Sequence, residues 1–438
     1  MAEPAASADE TFVEPDSRHL FWRSMRSAVV VGLLAGLAAL AFLQLLTLGT
    51  KLIWGEPDSL AFGSGQWWWV AACAAAGALV GILRRVLRVP DHVIGPIAIL
   101  GKGSVDAKGA PAAVLVSLVS LIGGASMGPF DAGTRSGAAI GDWWHRITNG
   151  REEERKLSVL NGAAGGLGGL LTAPAIATVL VLEVHRHKYR DYLAYLVPNL
   201  TAAVMGFGVF FLTVGSSFYG VYTQDAYEVE IWHFLAAAAM GLLAGGVSWL
   251  LEWTVGLTAR TAGRWIPNIV IRCAVGGAVF GLVAVLLPAT FGSGKEQLAL
   301  LSDEAQAVGI GLLVAIILGK IVAMAASIGT GFIGGPLMPS LFLGGTLGLA
   351  VSAVFPDVPL PLAFSCMLVG VAGTALRAPI TIGLMVVLTT GLGPVEATPA
   401  VVAAITAYIA RHGTAVATLP PSTLDLAPVE ATSPAAGK

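Results

Sequence analysis

Two short turns in this chain have the residue types to hold an anion without a cationic side chain. Gly128-Pro129-Phe130-Asp131-Ala132 and Gly335-Pro336-Leu337-Met338-Pro339 each place glycine, for close backbone approach, ahead of proline at an opening helical position. A helix that begins in such a turn presents unpaired N–H groups and the positive end of its dipole, and both favour negative charge. Glycines of this kind can alternatively serve close helix packing alone. Asp131 and Arg135 stand four apart, which puts both charges on one helix face as a self-satisfying pair or leaves Asp131 as a mobile carboxylate. Glu183, Lys320 and Arg377 also sit in apolar surroundings. An ionisable group at membrane depth is costly and is paired or functional. For the two cations the readings are a raised local potential for anions or snorkelling from a helix end.

The elements that must position these groups are duplicated. Gly165-Gly168-Ala173-Pro174 reappears as Gly370-Gly373-Ala378-Pro379, an offset of 379 − 174 = 205 residues, and each copy runs into an apolar stretch. Ahead of each lies a glycine-dense segment with proline, at 123–141 and 329–348. Many hydrophobic runs are short and punctuated by Gly and Pro, and broken helices are tolerated in a bilayer only where they are buried or line a water-filled cavity. Two homologous halves with such helices are a mark of membrane transport folds.

Composition sets the solvent. With 55% hydrophobic and 12% charged residues over 438 positions, and a mean hydropathy of +0.78, the chain is far more apolar than soluble proteins with about 25% charge. Ser27–Gly49 and Gln66–Leu83 carry no charge over a length that can cross a bilayer, and further apolar runs follow at 192–215, 234–251, 273–291, 307–319, 340–355 and 379–394. A net charge of −2 supplies no field for nucleic acid. Cys73, Cys273 and Cys366 are scattered in apolar runs, which reads as packed thiols. His185 and His187 form a weak metal pattern that reads better as a solvated loop, so no metal or other cofactor is expected. Phosphate-loop and metalloprotease motifs are lacking, so an enzyme is not expected. Residues 1–20 and 414–438 read as disordered tails on the cytoplasmic face of the cell membrane, since the basic clusters at 18–26 and 84–88 flank two spans and so share that side.

On NGAAGGLGGLLTAPAIATVLVLE at 161–183, GTGFIGGPLMPSLFLGGTLG at 329–348, GVAGTALRAPITIGLMVVL at 370–388 and FGSGKEQL at 291–298, the chain resembles the CLC chloride channels and chloride/proton exchangers over roughly residues 25–413. The resemblance implies an all-α polytopic protomer of two inverted repeats of short tilted and broken helices, within a membrane domain at 21–413. The repeats are expected at about 60–215 and 232–413. It also implies a homodimer with apolar contacts from 192–215 and 397–411, and one pathway per subunit for a small inorganic anion, chloride in the first instance.

The departures bear on mechanism. Laid on the family's gating signature, Phe130 takes the place of the gating glutamate, and Val184 takes that of the internal proton glutamate, with Glu183 at the neighbouring acidic position. The family's central serine has no counterpart in Val89–Ile94, and its central tyrosine falls near Leu419-Pro420, leaving Tyr408 as an ordinary helix-face residue. The ligands that remain are backbone amides of Phe130–Ala132 and Pro336–Met338. These residues imply passive anion conduction with Phe130 at the gate position. The alternatives are a coupled antiporter using Asp131 or Glu183 as proton or water path, and a membrane scaffold that transports nothing.

Overall fold

The computed structural model describes residues 15–55, 65–91, 93–149, 152–185, 192–215, 218–303 and 308–413. Residues 1–14 and 414–438, where tails are expected, lie outside the described residues, as do residues 186–188, whereas residues 15–20 of the expected N-terminal tail are helical. Among the described residues the regular structure is helical. The first eight helices are α1 Pro15–Trp54, α2 Trp68–Val86, α3 Pro96–Lys102, α4 Ala110–Ile122, α5 Phe130–Ile147, α6 Glu152–Leu171, α7 Pro174–Val184 and α8 Tyr192–Phe211. Eight more follow: α9 Ile231–Trp265, α10 Ile269–Leu286, α11 Lys295–Asp303, α12 Ile310–Thr330, α13 Leu337–Val354, α14 Leu360–Leu376, α15 Pro379–Thr390 and α16 Thr398–His412.

Seven of these helices are long and apolar enough to cross a membrane. Their bounds revise several expected spans. The run at 379–394 yields only the 12-residue α15, too short to cross a hydrocarbon core that needs about 20 residues. The 40-residue α1, which begins ahead of the repeat start expected near residue 60, packs on α6 and α8. The 35-residue α9 opens the second half in the corresponding place.

The duplicated motif folds twice in the same way. Pro174 and Pro379 are each the first residue of a helix, where the missing N–H costs nothing. The preceding alanines adopt matching non-helical conformations, φ −145° and ψ 83° at Ala173, φ −134° and ψ 62° at Ala378, away from the helical region that a following proline disfavours. One residue earlier, Thr172 and Arg377 both take left-handed φ, 47° and 55°. A non-glycine residue held there costs on the order of 1–3 kcal/mol, and the cost recurs at equivalent points of both halves. Arg377 is therefore fixed as the cap of α14.

Glycine brings the helices into near backbone contact. A Cβ at Gly137 on α5 would strike the Gly162 carbonyl on α6, and one at Gly165 would strike Gly32 of α1. All three cysteines are buried free thiols. Lys320 corrects the expectation that it snorkels. It is fully buried in α12 and donates from Nζ to the carbonyls of Thr290 and Gly292 at 3.0 and 2.8 Å, with the ammonium 4.7 Å from the Phe342 ring centroid. It ties the FGSGKEQL loop to α12 and does not snorkel.

Candidate anion site where the half-helices meet

The two glycine-proline turns touch. Gly128 N–H donates to the Gly335 carbonyl and Gly335 N–H to that of Gly128, each at 2.8 Å, an isolated antiparallel bridge at the middle of the bundle. From this bridge α5 and α13 diverge, each with proline at its N-cap in nearly the same conformation, φ −73° and ψ −3° at Pro129, φ −81° and ψ −7° at Pro336. Phe130, Asp131 and Ala132 thus form the buried opening turn of α5, and Leu337, Met338 and Pro339 that of α13. There is no room for side chains at the bridge. A Cβ on Gly335 would lie 2.8 Å from the Phe130 Cβ, and one on Gly128 would lie 2.9 Å from the Met338 Cγ.

Each re-entrant turn is held by a serine from the opposite half. Ser120 Oγ on α4 accepts from Ile333 N–H at 3.3 Å, and Ser327 Oγ on α12 accepts from Ser126 N–H at 2.9 Å. Each hydroxyl donates in turn to the carbonyl four residues back, Val116 and Ala323, at 2.8 Å. Both pairs share the glycine offset, since 327 − 120 and 335 − 128 are both 207.

Buried arginines complete the frame. Arg84, expected in a cytoplasmic basic cluster, is buried and donates to the carbonyls of Gly331 and Pro90. Its burial follows from the packing of α2 against α10 beside the end of α12. Arg272 donates through Nε to the Thr330 carbonyl at 3.3 Å. Arg135 grips Asp131 with two contacts of 2.7 and 3.2 Å and also donates to the Ile94 carbonyl at 2.7 Å. Three guanidinium groups therefore fix the segments that lead into α3 and α13 and the opening turn of α5. Beside them lies a cavity of about 40 Å³ lined by Arg84, Val93, Gly95, Met127, Asp131, Arg135 and residues 328 and 332–334. On a water-probe measure, where one water needs roughly 10–15 Å³, this space suits a few waters or a monatomic ion. Val93 lines it in the segment that lacks the family serine. The hydroxyls of Ser126 and Ser340, both buried, have no protein partner. Sequence reasoning missed them, although a serine two residues before Gly128 and another three after Leu337 are the available signal.

Glu183 lies away from this cavity. Its carboxylate accepts from the N–H groups of Ile380 and Thr381 at 2.9 and 2.8 Å and from the Thr381 hydroxyl at 2.6 Å. It caps α15, so the last turn of one Ala-Pro helix neutralises the dipole of the other. Glu183→Ala should lower stability by about 1.5–3 kcal/mol, the range for hydrogen bonds to a charged group, and Glu183→Gln by less. Thermal unfolding in detergent checks this, and an unchanged midpoint for the alanine variant would refute the capping role. Val184 follows as an apolar residue packed on the core. The His185 Nδ1 lies 2.9 and 3.0 Å from the carbonyls of Leu100 and Gly101, so that nitrogen carries the proton. Burial pushes the imidazole below its ordinary pKa, partly offset by those carbonyls. His185 ties α7 to α3, and the other half of the weak metal pattern lies outside the described residues. Tyr408 packs its ring 4.8 Å from that of His412.

A bundle of paired halves, with half-helix N-termini from both meeting at a buried polar centre, defines a membrane ion-transport fold. The family model described as voltage gated chloride channel matches residues 91–412. The chain belongs to this CLC family. It is 27% identical over 419 residues to the voltage-gated ClC-type chloride channel ClcB of Salmonella dublin, covering 89% of this chain and 97% of that protein. A second relative, an uncharacterized protein of Methanocaldococcus jannaschii, is 27% identical over 254 residues, and the match spans 57% of this chain and 61% of that protein's length. Among solved structures, a slow cyanobacterial Cl−/H+ antiporter superposes with a TM-score of 0.76 at 18% identity, over 92% of this chain and 96% of that one. A CLC-type fluoride/proton antiporter superposes with a TM-score of 0.75 at 20% identity, over 91% and 97%. The family consists of transporters and channels, and the fold is theirs.

Proposed function

We propose that the protein passes a small chloride-like anion across the cell membrane passively, without stoichiometric proton exchange. The observation that carries this reading is the chemistry of the α5 opening turn. Phe130, at the gate position, has no proton to give, and the nearest carboxylate, Asp131, is gripped by Arg135. Glu183, the acidic group near the inner proton position, is taken up by the α15 amides. The anion would be met by the amides of Phe130–Ala132 and Pro336–Met338, with the unpartnered hydroxyls of Ser126 and Ser340 as further donors. Anion efflux from liposomes containing purified protein tests the reading: flux should exceed that of protein-free liposomes and should leave the internal pH unchanged. No flux would favour the non-transporting scaffold.

The coupled antiporter is the second reading, favoured by the fold shared with the Cl−/H+ and the fluoride/proton antiporter structures. The transporting unit in either case is a homodimer with one pathway per subunit and its tails in the cytoplasm. Exposed apolar faces on α8, with Val197, Leu200 and Val204, and on α16, with Val401, Ile405 and Ile409, supply a surface for this contact. A lysine in place of Leu200 or Ile405 should yield monomers by light scattering, and dimers that survive both changes would place the contact elsewhere.

A further inference from the structure

The end of the protein where α1 begins carries a polar cavity that the transport reading does not use. It measures about 360 Å³, lies between α1, α5 and α6, and is lined by Arg23, Arg26, Ser27, His145, Glu154 and Asn161 among others. Asn161 is 1% exposed, yet neither its Nδ2 nor its Oδ1 has a hydrogen-bond partner. The same holds for Ser27 Oγ and for Glu154 Oε1. A buried polar group left unpaired costs about 1–3 kcal/mol, and four such atoms around one cavity point to a ligand that satisfies them together. The other carboxylate oxygen, Oε2 of Glu154, already faces Arg23 Nε at 3.5 Å, while Arg23 also donates to the Thr148 carbonyl at 2.8 Å.

The unmatched atoms include both donors and acceptors, and Arg23 and Arg26 beside them add positive charge. Arginine, serine and the amide nitrogen ask for an acceptor such as phosphate, whereas Glu154 Oε1 and Asn161 Oδ1 ask for a donor, ideally cationic. A plain anion would leave those two oxygens unpaired, and a quaternary ammonium has no N–H to give them. The surroundings give the ligand's source. Phe21, Trp22 and Trp143, all exposed, stand on the helices that wall the cavity, and tryptophan at a helix end is characteristic of the headgroup level of a bilayer.

We propose that this cavity binds the headgroup of an ethanolamine phospholipid, with the phosphate against Arg23 and Arg26 and the primary ammonium against Glu154 Oε1 and Asn161 Oδ1. The test uses the full-length protein in nanodiscs of phosphatidylcholine alone, or doped with phosphatidylethanolamine or with phosphatidylglycerol, and reads the unfolding temperature. Phosphatidylethanolamine should raise the midpoint by several degrees and phosphatidylglycerol should not. Glu154→Gln, which keeps size and a hydrogen-bonding end, should abolish the rise, and Arg26→Ala should weaken it. An equal rise with phosphatidylglycerol, or a rise that survives Glu154→Gln, overturns the ammonium assignment. Soluble ethanolamine phosphate added to phosphatidylcholine nanodiscs should have no effect, and a rise with it equal to that of the lipid would overturn the membrane source. The readout does not depend on transport, so it stands apart from the anion reading.

Discussion

Asp131→Asn should destabilise the folded protein by about 3–5 kcal/mol, the range for breaking a buried ion pair from one side. Both side chains are nearly inaccessible, 2% for Asp131 and 5% for Arg135, so removing the carboxylate charge leaves a buried guanidinium with only neutral acceptors, the new amide oxygen and the Ile94 carbonyl. The damage would not stay local, because Arg135 ties the segment before α3 to the opening turn of α5. A double substitution, Asp131→Leu with Arg135→Met, should recover much of the loss, since it removes both charges together. Chemical or thermal unfolding in detergent measures both variants. The displaced-gate alternative predicts the opposite pattern: Asp131→Asn would leave stability near that of the parent and remove a steep pH dependence of flux.

How far these features can be read from sequence depends on how local they are. The Asp131–Arg135 pair is legible because one helical turn brings the two residues together. The Ala-Pro turns are legible because proline at a first helical position and glycine in close packing leave a pattern, and that pattern occurs twice. Glu183 is only half legible: its depth marks it as paired, but its partners at Ile380 and Thr381 lie almost two hundred residues away and carry no mark of their own. The crossed serines are invisible for the same reason, since a serine inside an apolar helix looks alike whether it back-bonds to its own carbonyl or also holds a remote turn. Arg84 is misleading, because Arg85 and Arg88 beside it are exposed and the three together have the look of a cytoplasmic cluster. Only the packing of α2 on α10 turns one of them inward. The helices follow from local chemistry, and the centre of the site follows from contacts between halves.

Under the proposed passive conduction, Phe130 is the residue that controls access to the path. Its ring is buried in the first turn of α5, with its Cβ against Gly335, where the family carries a carboxylate that swings and titrates. A phenyl ring can only block or prop the path, so Phe130→Ala should raise anion flux about tenfold, equivalent to lowering the barrier by about 1.4 kcal/mol. Flux in the parent and in this variant should vary little between about pH 5 and 8, because the phenyl ring has no proton to exchange and the Asp131 and Glu183 carboxylates are held by Arg135 and by the α15 amides. An imposed anion gradient should then drive no protons. Phe130→Glu restores one carboxylate but leaves Val184 at the inner position, so it should introduce acid-dependent gating without a fixed anion-to-proton ratio. Uphill proton movement by the unmodified protein, measured with a pH-sensitive dye in the same liposomes, would refute passive conduction and make coupled exchange the working mechanism. Equal flux in the parent and Phe130→Ala would mean that the ring stands beside an open path and that the barrier lies elsewhere, at the small cavity held between Arg84 and Arg135.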